Sequence, residues 1–237
     1  MLAAAALCPC PPLLVPEVAA GAAAELDALR AACADAVGVL AAARPDRLVV
    51  VGPAPERAGT RLHPQGAPGS FRGLGVDAAV RLGSGEPAGA EPLPLSLAVA
   101  AWLLERTEWA AAPVEGLGVG EATTGERCRV IGRELAAPAD RLALLVMGDG
   151  SACRTLKAPG YLDERAAGFD AAVTGALAAA DTGALQALDP GLAAELRVSG
   201  RACWQVLAGA GEDAGLSGAL LYDDAPYGVG YTVATWS

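Results

Sequence analysis

Apolar positions along the chain fall into short unbroken runs, separated by longer stretches with helical spacing. Residues 2–7, 48–51, 114–119 and 142–147 are runs of strand length, apolar or glycine throughout except for Glu115, the mark of strands covered on both faces. Between them, residues 17–40 set Val18, Leu26, Leu29, Cys33, Val37 and Leu40 on one helical face, and residues 95–108 do the same through Leu97, Ala101 and Leu104. Residues 126–136, 166–180 and 192–207 read as further helices, the last interrupted near Gly200. Strand and helix in alternation predict a mostly parallel sheet with helical crossovers. Residues 76–82 add a strand, and residues 219–222 with 229–236 form a terminal strand pair around the turn Asp223–Tyr227. No internal repeat or flexible polar linker divides the chain, so residues 1–237 are expected to form one α/β domain, a mixed central β-sheet flanked by helices.

Two of the apolar runs end abruptly. The first stops at Cys8-Pro9-Cys10-Pro11-Pro12, where the prolines can continue neither a ladder nor a helix. The fourth stops at Gly148-Asp149-Gly150-Ser151. Open α/β sheets place ligands just beyond their strand ends, so these two loops define the candidate site. Residues 56–75, rich in Gly, Pro and Arg, hold the only histidine, His63, in a long segment of the kind that serves as a lid or site loop. The cluster Gly116-Leu117-Gly118-Val119-Gly120 invites comparison with a phosphate loop but lacks its Gly-Lys-Ser/Thr ending, and reads more simply as a mobile loop before the next helix.

The same segments carry a family resemblance. Cys8-Pro9-Cys10-Pro11-Pro12-Leu13-Leu14-Val15-Pro16-Glu17 resembles the opening of class III (LigB-type) extradiol ring-cleaving dioxygenases and their Memo-type relatives, which usually read Pro-His-Pro-Pro here. Gly148-Asp149-Gly150-Ser151-Ala152, with Ala158-Pro159-Gly160-Tyr161, Gly168-Phe169-Asp170 and Ala187-Leu188-Asp189-Pro190 downstream, is similar to that family's Gly-Asp-x-Ser-His block and the helices after it. The resemblance spans most of the chain and implies the family's scaffold, frequent oligomerisation, and an Fe(II) held by two histidines and a carboxylate, with a further histidine moving protons. Carried over position by position, the first ligand falls on Cys10, the second near Pro53 or Ala54, the carboxylate on Gly228–Tyr231, where no acid stands, and the proton-shuttling histidine on Ala152. All four depart from the pattern. The expectation is therefore a scaffold whose iron site is degenerate, which does not cleave rings and binds a small molecule or a partner in the remnant pocket.

Composition narrows the alternatives. Hydrophobic residues make up 53% and aromatics only 4%, so the core must be built from small side chains. The net charge is −10, Lys157 is the only lysine and no basic patch is visible, which argues against a nucleic-acid or anionic-membrane partner. The alanine-rich start lacks a basic n-region, no run reaches the length of a membrane span, and six scattered cysteines suit a reducing cytoplasm.

Two other chemistries stay open. Cys10, ahead of the helix beginning at Pro16-Glu17, could serve as a thiolate nucleophile if His63 folded over it as a base. Alternatively Cys10 and Cys8 could be thiolate ligands of a rebuilt metal site, with Asp149, Cys153 and His63 completing it, although Cys-x-Cys is a weak signature. Asp149 and Ser151 are the other candidate catalytic groups, and Asp149 alternatively caps its turn and the next helix. Lys157 could neutralise an anionic ligand, while Tyr161 and Tyr227 supply walls with hydroxyl handles. Trp102, Trp204 and Trp236 are simplest as core.

Overall fold

A computed structural model describes residues 1–55, 59–88 and 91–237; residues 56–58 and 89–90, within the two Gly/Pro-rich loops, lie outside the described residues. The apolar run at the start becomes β1 (Leu2–Cys8), followed by a 3-10 turn, Pro12–Leu14, and a single helical turn, α1 (Pro16–Ala19). A 3-10 segment, Ala20–Leu26, leads into α2 (Asp27–Ala42). Then come β2 (Arg47–Ala54), the short strands β3 (Arg61–His63), β4 (Pro68–Ser70) and β5 (Ala79–Arg81), α3 (Leu95–Arg106), β6 (Val114–Gly120), α4 (Gly125–Ala136) and β7 (Leu142–Met147). The last third holds α5 (Arg165–Ala178), α6 (Thr182–Gln186), α7 (Pro190–Glu195), α8 (Arg201–Gly211), β8 (Gly218–Asp224) and β9 (Tyr231–Trp236).

Seven strands form one sheet in the order β3-β6-β2-β7-β1-β9-β8, and β4 and β5 pair separately. The four strands β6, β2, β7 and β1 run parallel, while β3 and the β9–β8 hairpin run antiparallel at the two edges. This is the expected α/β domain with a mixed sheet. Two apolar clusters cover its faces. Leu29, Cys33 and Val37 of α2 and Leu97 and Ala101 of α3 pack on one side; Cys128 and Ile131 of α4, Val173 of α5 and Val206 of α8 pack on the other. Small side chains let the elements approach closely: a Cβ on Gly132 of α4 would run into the Val206 carbonyl, and one on Gly209 of α8 into the Arg129 backbone. Among the described residues, no helix is long and apolar enough to cross a membrane.

Two expectations need correction. The single helix over 17–40 is broken, with Ala20 at φ 49 and the chain in 3-10 form to Leu26. The Arg30 side chain, 6% exposed, compensates by donating to the Leu14 carbonyl at 3.2 Å, to the Ala23 carbonyl and to Asp27, so carbonyls freed by the break are satisfied across it. The interruption expected near Gly200 is present, dividing residues 190–211 into α7 and α8. Finally, Gly116–Gly120 is strand, not a loop: a Cβ on Gly116 would lie 2.9 Å from Leu82 Cδ2 and 3.0 Å from Leu97 Cδ1, so glycine is what lets those side chains close on the sheet.

Candidate functional site at the strand ends

The parallel register brings the two abrupt strand ends side by side. Cys8 pairs with Met147, and the Gly148 N–H donates to the Cys8 carbonyl at 3.1 Å. Beyond them the Cys10 N–H donates to Asp149 Oδ1 at 2.7 Å. Asp149 is itself fixed: its N–H donates to Ser199 Oγ at 3.0 Å, and its carbonyl accepts the Gly200 N–H at 3.0 Å. It therefore bridges the proline loop and the start of α8 rather than capping a helix that follows it. Gly148 is required for this approach, because a Cβ there would overlap Gly200 Cα.

A buried arginine holds the neighbouring loop. Arg201, 5% exposed, donates to the Thr123 carbonyl at 2.7 Å, to Gln205 Oε1 at 2.9 Å and to the Glu121 carbonyl, fixing the turn after β6. Glu121 consequently stands within electrostatic reach of Cys10 and Cys203. Arg30 plays the same part under the loop after β1, so a guanidinium clamps each of two loops bordering the site.

Electrostatics at this point favour neutral forms. Loss of water pushes the Asp149 carboxyl up to about 7, against the lowering effect of the Cys10 N–H. Among the described residues no cation forms an ion pair with it. Burial, then the Asp149, Cys203 and Glu121 charges, push the Cys10 thiol well up. Tyr231, 2% exposed, is raised by burial and then by Asp149. The arrangement is a buried carboxyl among protonated thiols and a phenol, able to accept or give a hydrogen bond but poor in nucleophile.

The remaining candidates are dispersed. Cys8 is turned toward Cys33 of α2, which with burial keeps its thiol protonated. Ser151 is fully buried, and its N–H and Oγ donate to Asp170 Oδ1 and Oδ2 at 2.8 and 2.6 Å, with Arg154 completing the group at 3.0 Å. His63 lies on β3, four strand positions from β1, roughly 19 Å away at ordinary strand spacing. It is buried beside Gly116 and Gly118, and desolvation lowers its pKa. It therefore does not fold over Cys10. Lys157 is exposed; Tyr161 is 64% exposed at φ 65; the Tyr227 hydroxyl donates to Glu25 Oε2 at 2.9 Å. Cys153 sits in the other core cluster, its thiol directed at the Leu196 carbonyl at 3.5 Å.

The residues present do not fit Fe(II). The positions matched to its ligands hold the Cys10 thiol, the Pro53–Ala54 strand end and Gly228–Tyr231; the carboxyl nearest that last segment is Asp170, against Gly230 and already taken by Ser151 and Arg154. Nor do Cys8, Cys10, Asp149, Cys153 and His63 meet: among the described residues no three His, Cys, Asp or Glu side chains stand close enough to share an ion. Three clefts lie elsewhere. One of about 760 Å³ lies between α4, α6 and the end of α8, an adjoining one of about 330 Å³ reaches Met1 and Leu2 at the opposite end of the strands, and one of about 640 Å³ lies between the β4–β5 pair and the end of α3. None of these is lined by Cys10 or Asp149, and in none do buried titratable groups converge, so the strand ends remain the site the chemistry marks.

Asp170, Glu121, Arg201 and Tyr231 were missed by sequence reasoning. Asp170 had a signal in the Gly168-Phe169-Asp170 segment, and Tyr231 ends the Gly228–Tyr231 segment matched to the missing carboxylate; the other two are brought in by tertiary contacts.

No family model and no curated protein matches the chain. Among solved structures, the fold is similar to that of an Escherichia coli K12 protein described as uncharacterized protein JW3007, with a TM-score of 0.58, 13% identity and 98% of each chain covered. That likeness is one of fold.

Proposed function

We propose that this chain is a class III extradiol dioxygenase-like protein that has given up ring cleavage and binds a small molecule at the strand ends. The observation that supports the reading best is the Cys10–Asp149 pair: where the resemblance calls for an iron ligand there is a protonated thiol, and the adjacent carboxyl lacks a cation among the described residues and titrates near neutrality at about 7. Such a carboxyl suits a neutral or cationic ligand with a hydrogen-bonding group. Anions are disfavoured by Glu121 nearby and by the net charge of −10. The alternative, an enzyme with Cys10 as nucleophile, has less support, since its thiol is held protonated and His63 stands on the far edge of the sheet. We place the protein in the reducing cytoplasm, where its six free, buried cysteines stay unpaired, and read it as a homo-oligomer without nucleic-acid or membrane partners.

The test combines two measurements on the purified protein. Fe(II) and catechol are added anaerobically, air is admitted and the absorbance of ring-opened product is followed; turnover would overturn the proposal. Native mass spectrometry then looks for a retained small molecule in the wild type that Asp149→Asn loses. A wild type that carries none and shows no thermal shift with catechol counts against a ligand site here.

A further inference from the structure

Ten large hydrophobic side chains among the described residues are substantially exposed, and five of them fall in two short segments. Leu156, Tyr161 and Leu162 are 62, 64 and 44% exposed in the loop ahead of α5, and Leu220 and Leu221 are 42 and 40% exposed on β8. Concentration of this kind marks an interaction surface, whereas single exposed leucines do not.

The loop is built to present its side chains. The Gly160 N–H donates to the Ala152 carbonyl at 2.8 Å, Asp163 to Cys153 at 3.0 Å and Tyr161 to Ala158 at 2.9 Å, closing it on itself. The Arg154 N–H donates to the Gly228 carbonyl at 3.0 Å, in the turn between β8 and β9, so the base of the loop and the top of β8 share one end of the sheet. β8 pairs only with β9, which leaves its outer edge open over seven residues. The opposite edge, β3, has three residues and is flanked by the Arg61–Glu91 ion pair.

Charge distinguishes the two segments. Lys157, the only lysine of a chain with net charge −10, is exposed among these apolar residues and has no carboxylate partner among the described residues. Among the described residues Asp223 and Asp224 on β8 have no cation; their carboxyl contacts are the Thr174 hydroxyl at 3.4 Å, the neighbouring Ala225 N–H at 2.7 Å and, for Asp224, Tyr222. Each segment carries what the other lacks.

We propose that the 156–162 loop and the β8 edge form one self-complementary surface that joins two copies of this chain about a two-fold axis. Leu156, Tyr161 and Leu162 of each copy cover Leu220 and Leu221 of the other, and each Lys157 meets the opposite Asp223 and Asp224. A two-fold arrangement satisfies both contacts at once, which is why a second copy fits better than an unrelated chain. The proposal gives the homo-oligomer read above its interface and is independent of the ligand reading.

Sedimentation equilibrium tests it with a charge exchange, over about 1 to 100 µM protein. The wild type is expected to dimerise. Lys157→Glu and, separately, Asp223→Lys/Asp224→Lys each turn both contacts repulsive and should weaken association at least about tenfold, with circular dichroism confirming the fold. Mixing the two variants restores opposite charges at both contacts, so a mixed dimer should reappear. A monomeric wild type overturns both this surface and the oligomer reading. A wild-type oligomer indifferent to both reversals overturns the surface alone, as does a mixture that stays monomeric.

Discussion

Replacing Asp149 by Asn isolates the cost of burying that carboxyl. The amide is nearly isosteric and its oxygen can still accept the Cys10 N–H, which the carboxyl now accepts at 2.7 Å, but it cannot ionise. In the folded chain the carboxyl titrates at about 7 against 3.8 for the free group. Between those values the folded state holds one proton more than the unfolded state, so the group's contribution to stability falls as pH rises. It is fully present below pH ~4, declines through the interval and is gone above pH ~7. A difference of roughly three pKa units, at about 1.4 kcal/mol each, amounts to about 4 kcal/mol. The free energy of unfolding of Asp149→Asn, measured by urea titration at steps from pH 4 to pH 8, should therefore rise relative to the wild type by about that amount, because every other titrating group cancels in the difference. A difference that stays flat would show that Asp149 ionises freely in the folded protein, and the picture of a water-poor carboxyl beside Cys10 would fall.

Other perturbations read other parts of the same architecture. In native protein at pH 7, iodoacetamide should label Cys10 no faster than the other cysteines, whereas unfolded protein labels at once; rapid, selective modification of Cys10 would revive the nucleophile reading. Ser151→Ala takes a hydrogen bond from Asp170, which is 5% exposed, and should cost about 2 kcal/mol in chemical denaturation; an unchanged midpoint would mean the pair is not formed. Gly148→Ala sets a methyl against the Gly200 backbone, which has no flexible end to yield, and should destabilise by about 3 kcal/mol or more or prevent folding, while a well-folded variant would refute the close approach.

The sheet was largely legible because its strands are buried on both sides and so read as unbroken apolar runs: Leu2–Cys8 and Leu142–Met147 match the expected strands within a residue. The strand-end rule singled out both of their loops, while the adjacency that brings Cys10 to Asp149 comes from the strand order. What failed to show was whatever depends on a partner distant in sequence. Residues 17–40 have unbroken helical spacing, yet Arg30 makes a break affordable by reaching back to Leu14 and Ala23. Gly116 and Gly118 look like loop punctuation until Leu82, Leu97 and Ala54 are seen closing over them. His63 carried weight as the lone histidine, but only the strand order reveals that it belongs to the far edge. Ser151 looked like catalytic equipment because its partner, Asp170, lies in the next helix.

The free cysteines have a use in the laboratory. All six are buried, in both core layers: Cys8, Cys10 and Cys33 under α2, and Cys128, Cys153 and Cys203 on the side of α4 and α8. A reagent in the solvent can reach such a sulfur only when the surrounding structure opens, so each thiol keeps time for its own neighbourhood. Six labelling rates, followed by mass spectrometry, would therefore map which parts of the sandwich breathe separately and which come apart only together, with no foreign probe introduced.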